Sequence, residues 1–189
     1  MRFLPVGLAC ALFSVAAGPV LPGERLDSIT VQHPDGKAAN FRLAGAVTVI
    51  AFTSTKCPIS NDYNERMAAV YRDYSSKGVQ LVFVNSNGNE PASEVGEHAK
   101  AAGFPFPVYK DEGNVLADQL GASVTPEIYV FDTAGVLRYH GQIDDSRNPA
   151  RVKAHTLRAA VDELLAGKPV SRVETKAFGC TIKRVKKVS

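Results

Sequence analysis

One short passage constrains this chain more than any other. Val47, Thr48, Val49, Ile50, Ala51 and Phe52 run as an almost unbroken apolar, β-branched segment, and the chain then turns through Ser54, Thr55, Lys56 and Cys57 into Pro58. Such a run, with little polar alternation, reads as a central strand buried on both faces. Pro58 suits the first helical position, where its missing N–H costs nothing. Tyr63, Met67, Val70, Tyr71 and Tyr74 recur at helical spacing, and Lys77 with Gly78 gives a stop, so one helix is predicted from Pro58 to about residue 77. A second buried strand at 79–85, a polar loop at 86–90 and a helix from Pro91 to about residue 102 follow. An extended Pro-rich piece at 104–109 and one or two helical turns at 114–120 come next. A strand at 127–131, a turn at 132–135 and a strand at 136–140 make a hairpin, and Asn148 with Pro149 caps a last helix over 150–165. Before the central strand, Ile29 and Val31 alternate with polar residues and the turn His33-Pro34-Asp35-Gly36 leads to Phe41 and Leu43, which predicts a short hairpin. The alternation of strands and helices predicts an α/β sheet covered on both faces, and the late hairpin makes it mixed rather than all parallel.

The N-terminus reads as a leader outside this fold. Arg2 precedes an apolar stretch from Phe3 to Val15, and the small residues Ala16, Ala17 and Gly18 suit cleavage, so residues 1–18 are expected to be a signal peptide. The competing reading is an uncleaved anchor, but Pro5, Gly7, Gly18 and Pro19 interrupt the apolar run, which is barely long enough to span a bilayer. Cys10 is not read as a lipoprotein site, because Gly7 stands where a Leu-like residue is wanted. Removal of the leader leaves two of the three cysteines, Cys57 and Cys180, in an exported protein whose compartment permits a disulfide. Two cysteines are too few to staple a fold, so a core of Phe, Tyr, Val, Leu and Ala must hold the domain, which is expected over 24–170 with a tail over 171–189. Lys183, Arg184, Lys186 and Lys187 cluster in that tail and read as a solvated terminus rather than a nucleic-acid or membrane patch.

Cys57 sits where a buried strand ends and a helix begins. Unpaired N–H groups and partial positive charge at a helix start favour an anion, and Lys56 adds positive charge beside it. Both favour thiolate over thiol; a pKa lowered from about 8.5 to about 7 would raise the thiolate fraction at neutral pH to roughly half. Such a cysteine is suited to attack a disulfide or a peroxide. The plainer alternative is a buried structural cysteine.

The order of elements and two motifs resemble the thioredoxin-like superfamily, and more closely its exported redoxin branch of the AhpC/TSA kind. The first motif is Phe52-Thr53-Ser54-Thr55-Lys56-Cys57-Pro58-Ile59-Ser60, and the second is Val124-Thr125-Pro126-Glu127-Ile128-Tyr129-Val130-Phe131-Asp132. The resemblance spans about residues 24–169. It implies a thioredoxin-like three-layer α/β/α sandwich with a mixed central sheet, and thiol–disulfide oxidoreductase activity through Cys57 without a cofactor or metal. It also implies a cis Pro126 that, with Thr125, presents a backbone edge to an extended substrate segment. Partner protein thiols or disulfides, or small peroxides, and an external reductant would be its partners.

The chain departs from the family where Ser60 replaces the second cysteine of the motif; its hydroxyl is expected either to donate to the Cys57 thiolate or to be an ordinary polar residue of the first turn. Resolution would then fall to Cys180 or to an external thiol. Phe178 and Ile182 flank Gly179-Cys180 in an otherwise polar tail and suggest that it docks. Three outcomes stay open: Cys180 resolves Cys57, it forms a permanent bond stabilising the fold by about 4–5 kcal/mol, or the sulfurs never meet. A peroxidase reading is weaker, since Ser54 stands where a Thr is wanted and Pro126 where an Arg is wanted. A non-catalytic binding module with an inert Cys57 is the third class. Residues 141–147 read as a polar loop in which Asp144 or Arg147 orients a substrate or, more plainly, marks a helix entry. His33, His98, His140 and His155 lack ligand spacing with a cysteine, and Asn61 stands where a copper-chaperone relative would place its second cysteine.

Overall fold

A computed structural model describes residues 18–186. Apart from Gly18, the expected leader lies outside the described residues. The hairpin of β1 (Ser28–Gln32) and β2 (Ala38–Arg42) opens the fold, followed by the central strand β3 (Thr48–Thr53). Then come α1 (Pro58–Asn61), α2 (Asn64–Ser75), β4 (Gln80–Asn85), α3 (Ala92–Ala101) and β5 (Val108–Lys110). After α4 (Val115–Leu120), the short β6 (Val124–Thr125) leads into β7 (Glu127–Phe131) and β8 (Leu137–Gly141), and α5 (Thr156–Leu165) and β9 (Cys180–Thr181) close the chain.

Seven strands form one sheet in the order β2-β1-β5-β4-β3-β7-β8, and β6 pairs with β9 in a separate ribbon. β3, β4 and β5 are parallel, whereas β7 runs antiparallel to β3 and β8 antiparallel to β7, which makes the sheet mixed. Alternation along β3 divides the core into two layers. Val49 and Ala51 pack with Met67 and Val70 of α2, Val95 of α3 and Leu157 and Val161 of α5. Ile50 and Phe52 face the other way, toward Leu116, Ala117 and Leu120 of α4 and the tail residue Ile182. Helices therefore cover both faces, the three-layer sandwich expected for a sheet buried on both sides. Among the described residues, no helix is long and apolar enough to cross a membrane.

Two predicted helices are broken. The helix expected from Pro58 to residue 77 divides after Asn61 and ends at Ser75. Tyr63 N–H bonds back to the Ser60 carbonyl at 3.0 Å, a tighter three-residue step, and regular bonding resumes only with Met67 N–H to Tyr63 O at 2.8 Å. Asn61 sends its side-chain amide to Thr55 O at 2.9 Å, and Asn64 reaches Asn61; short polar side chains of this kind compete with the helix ladder. The last helix begins at Thr156, not at 150. Asn148 caps only a 3-10 turn at Pro149–Arg151. Beyond it the chain stays extended because Asp145 accepts the Lys153 N–H at 2.9 Å and its own N–H bonds to Ala154 O at 3.1 Å.

The chain after α5 folds back as a strap. Val173 O and Thr175 N–H bond the main chain of His140 on the outer strand β8. The strap then crosses the carboxyl ends of the parallel strands, pairing at β6, and reaches the loop after β4, where Gly88 N–H bonds to Lys183 O at 2.7 Å.

Candidate active site

Cys57 ends the turn after β3 and is only 3% exposed. Its N–H donates to Ser54 Oγ at 3.0 Å, and its sulfur accepts the Ser60 N–H at 3.3 Å. The sulfur lies 3.4 Å from the carbonyl oxygen of Thr125, whose bond to Pro126 is cis. It is joined in a disulfide to Cys180, 123 residues downstream, with a Cα–Cα separation of 5.9 Å. That separation falls within the span a disulfide requires.

Ser60 thus contributes its main chain to the sulfur, while its hydroxyl turns away and accepts the Ser54 N–H at 3.1 Å. Lys56 also turns away: its ammonium bonds Glu94 at 3.0 Å and the Asn89 carbonyl at 2.8 Å. With α1 only four residues long, little macrodipole backs the sulfur, and the local Ser60 N–H is the direct anion-favouring contact.

A buried carboxylate underlies the turn. Glu90, 2% exposed, accepts the Ser54 hydroxyl at 2.6 Å, the Thr55 N–H at 2.7 Å and the Asn85 amide at 2.5 Å. Burial raises its pKa, but these hydrogen bonds outweigh burial and leave it below the ordinary carboxylate value. Asn85 in turn accepts from the buried Lys110 ammonium at 3.2 Å, and desolvation lowers the pKa of that amine. Lys110, Asn85, Glu90 and Ser54 form a continuous polar chain under Cys57.

A second buried carboxylate holds the other wall. Glu127, immediately after Pro126, accepts the Ser123 and Val124 N–H groups at 2.7 and 3.0 Å and lies 2.6 Å from His140 Nε2. Burial pushes its pKa up, and the His140 bond and the two N–H bonds more than offset that push. Glu127 thereby fixes the strand β6 that carries Thr125.

The sequence reading passed over both carboxylates, taking Glu90 as loop and Glu127 as strand. A charge opening an otherwise apolar strand was the available signal for Glu127, since unpaired buried charge is costly. Glu90 carried no comparable signal, because its partners come from residues 54, 55 and 85. In the loop 141–147, Asp144 is buried and bonds Arg66 at 3.1 Å and His155 at 2.8 Å, and Arg147 pairs with Asp62. These contacts tie the loop to the junction between α1 and α2, to α2 and to the residues entering α5.

The tail completes the site. Thr125 pairs with Cys180 and Val124 with Thr181, antiparallel. A methyl group on Gly179 would overlap the Thr125 carbonyl, so the close approach there requires glycine. Of the two apolar tail residues expected to dock, Ile182 is buried at 3% while Phe178 stays 63% exposed.

Comparison with known proteins gives a consistent picture. The sequence model of the AhpC/TSA family matches residues 22–140. The chain is 27% identical over 135 residues to the thiol-disulfide oxidoreductase ResA of Halalkalibacterium halodurans, covering 71% of this chain and 68% of that protein. Among solved structures, an uncharacterized conserved protein from Geobacillus kaustophilus aligns with a TM-score of 0.81 at 31% identity, covering 89% of this chain and 94% of that one. A hypothetical protein from Sinorhizobium meliloti aligns with a TM-score of 0.78 at 32% identity, covering 90% and 98%.

Proposed function

This chain belongs to the AhpC/TSA family, and on that premise we propose that it is a thiol–disulfide oxidoreductase in which Cys57 attacks and Cys180 resolves. The observation that carries the proposal is the disulfide between Cys57 and a cysteine borne on the terminal strap. A purely structural staple needs no sulfur at the turn between β3 and α1 beside the cis peptide bond; a resolving cysteine does.

In the reduced protein the Cys57 thiolate, held by the Ser60 N–H, attacks one sulfur of a partner protein's disulfide. The partner's S–S bond breaks, its second sulfur leaves as a thiolate and takes a proton, and a mixed disulfide remains on Cys57. The Cys180 thiolate then attacks Cys57 Sγ, releases the partner's other sulfur as a thiol and forms the intramolecular disulfide. Two electrons pass from the cysteine pair to the partner, and an external dithiol reductant restores the pair. Thr125 and Pro126 offer the edge on which the partner segment lies. Residues 24–170 act as the catalytic domain and 171–189 as its resolving tail. The leader read over 1–18 makes export part of the proposal.

Differential alkylation read by mass spectrometry tests this reading. Cys57 and Cys180 are expected to reduce together under mild dithiol and to re-form their bond when offered a disulfide substrate. The Cys180→Ser variant is expected to accumulate a mixed disulfide on Cys57, and Cys57→Ser to accumulate none. A bond that resists dithiol until the protein unfolds, or a Cys180→Ser variant that forms no mixed disulfide on Cys57, overturns the reading.

A further inference from the structure

Side chains anchor the strap at its two ends, where Thr175 Oγ1 meets the Tyr139 hydroxyl at 2.7 Å and Arg184 pairs with Asp118 at 3.0 Å; between them it is held mostly through its main chain, by groups that suit any extended peptide. Beyond the β6 pairing, Ile182 N–H donates to Ser123 O at 2.9 Å. Lys183 N–H donates to Asn87 Oδ1 at 2.9 Å, and Val185 N–H to Asn114 Oδ1 at 2.7 Å. Both asparagines are buried, so their side-chain oxygens are committed to whatever main chain lies over them. Three positions of the strap are read by side chain near the reacting sulfur: Gly179, where no Cβ fits; Cys180; and Ile182, whose side chain fills an apolar slot in the layer of Phe52, Leu120 and Tyr129. The groove is thus an edge strand, a sulfur, a slot and two buried acceptors in a row. It is closed by a bond that the reaction opens.

We propose that this groove is the docking site of the protein's substrate, and that the strap is an intramolecular copy of it. The substrate class is a protein or peptide disulfide presenting an extended Gly-Cys-X-aliphatic segment. The inference rests on the thiol chemistry proposed above. In the reduced protein the strap leaves the groove and the partner segment pairs with Val124 and Thr125, which lays its sulfur against Cys57. Attack forms the mixed disulfide and expels the partner's second sulfur as a thiol. The strap then re-pairs with β6 and strips the partner's main chain from the groove. Cys180 attacks Cys57 Sγ, the Cys57–partner bond breaks, and the partner departs as a thiol. Resolution and product release become one event because both occupants need the same edge. An external dithiol resets the cycle by reducing Cys57–Cys180.

The test uses the full chain carrying Cys180→Ala, which cannot resolve. A peptide with the sequence of residues 177–185, its cysteine carrying a chromogenic aryl thiol, is offered to the variant and release of the aryl thiol is timed. Peptides with alanine before the cysteine, or with aspartate in place of the isoleucine, are compared, and the same aryl mixed disulfide of glutathione measures the reactivity of Cys57 itself. Each peptide change is expected to slow transfer about tenfold or more relative to the parent, the aspartate by losing one buried aliphatic contact and the alanine by driving a methyl group against the Thr125 carbonyl. Adding Ile182→Asp to the protein weakens the strap's own hold and is expected to raise the ratio of the parent-peptide rate to the glutathione rate. The same chemical change therefore acts with opposite sign on the two sides, which a merely structural role for Ile182 does not produce. Equal rates for all peptides and glutathione overturn the groove while leaving the thiol chemistry standing. No transfer from any of them, glutathione included, overturns the thiol chemistry itself. A reduced protein that elutes as a dimer and loses peptide selectivity on dilution to monomer shows that the occupant is the strap of a second copy, and also overturns the proposal.

Discussion

Reduction of the Cys57–Cys180 bond should cost this protein a large and calculable part of its stability. The bond closes a loop of 123 residues, and the loop-closure entropy withheld from the unfolded chain amounts to about 5 kcal/mol. Release of the strap in the reduced native state subtracts from this. A strap that is open ten times as often as closed removes about 1.4 kcal/mol, so the expected gap between oxidised and reduced protein is about 3–5 kcal/mol. Tryptophan is absent, so urea unfolding is best followed by circular dichroism. With a slope of about 2 kcal/mol/M the midpoints should differ by about 2 M.

The same quantity must appear in a second measurement. Linkage requires that the bond be harder to reduce in the folded chain than in the unfolded one by the stability it contributes. For a two-electron couple 30 mV corresponds to about 1.4 kcal/mol, so the native pair should lie roughly 65–110 mV below the pair measured in denaturant. A stability gap under about 1 kcal/mol, or two measurements that disagree by more than that, would refute the reasoning: either the unfolded chain is already constrained, or the native site opposes the bond.

Glu90→Gln puts an N–H₂ group where the carboxylate gathers donors from Ser54, Thr55 and Asn85; it should destabilise by about 1–3 kcal/mol near neutral pH. Because the folded pKa of Glu90 is depressed, its contribution is complete above the unfolded carboxylate value of about 4.3 and fades as pH falls through the folded value, so the variant's acid limb of urea stability should be flatter. Gly179→Ala drives a methyl group into the Thr125 carbonyl; overpacking of about 1–3 kcal/mol should lower the oxidised fraction at fixed glutathione poise by about 5- to 150-fold in equilibrium constant, read by alkylation. Tyr74 donates to Asp162 at 2.9 Å, and burial first, then that bond, pushes its pKa up to about 12. Stability should therefore decline as pH rises from about 10 toward 12; burial also raises the pKa of Tyr63, Tyr109, Tyr129 and Tyr139, so Tyr74→Phe should make the decline shallower without abolishing it, measured as the pH dependence of the urea midpoint.

The layout of the sheet was legible because its signals are local. The unbroken run at 47–52, the punctuation at Gly78 and Gly121, and the 132–135 turn each report a periodicity or a turn that neighbouring residues determine. The two broken helices were not legible for the opposite reason. Asn61 breaks the first by reaching Thr55 O, and Asp145 holds 152–155 extended by bonding Lys153; both are choices between a local bond and the helix ladder that propensity does not rank. At the site, Cys57 and Pro126 could be read from motif and position. Glu90 could not, since a carboxylate buried by partners 35 residues away looks in sequence like any loop acid. The path of the strap was half legible: an apolar pair around Gly-Cys suggested docking, but only the geometry shows that Ile182 enters the core while Phe178 does not.

The burial of Cys57 decides what can control its reactivity. Lys56 is half exposed and neutralised by Glu94, and charges so placed are screened within a few ångströms of solvent. The four-residue α1 adds little field. What remains is the Ser60 N–H at 3.3 Å, a contact within the Cys57–Ser60 turn that involves no residue of the strap. The variable element is therefore access. In the oxidised chain the sulfur is 3% exposed, bonded to the strap and walled by Thr125; a small peroxide and a large protein disulfide are excluded alike. Once the strap leaves, it vacates an edge strand, an apolar slot and two buried acceptors that a peroxide cannot use and an extended peptide can. Binding energy at those groups is available only to the larger partner, so a tuned thiol is not required for selectivity. This is the physical ground for preferring disulfide exchange to peroxide reduction in a fold that supports both.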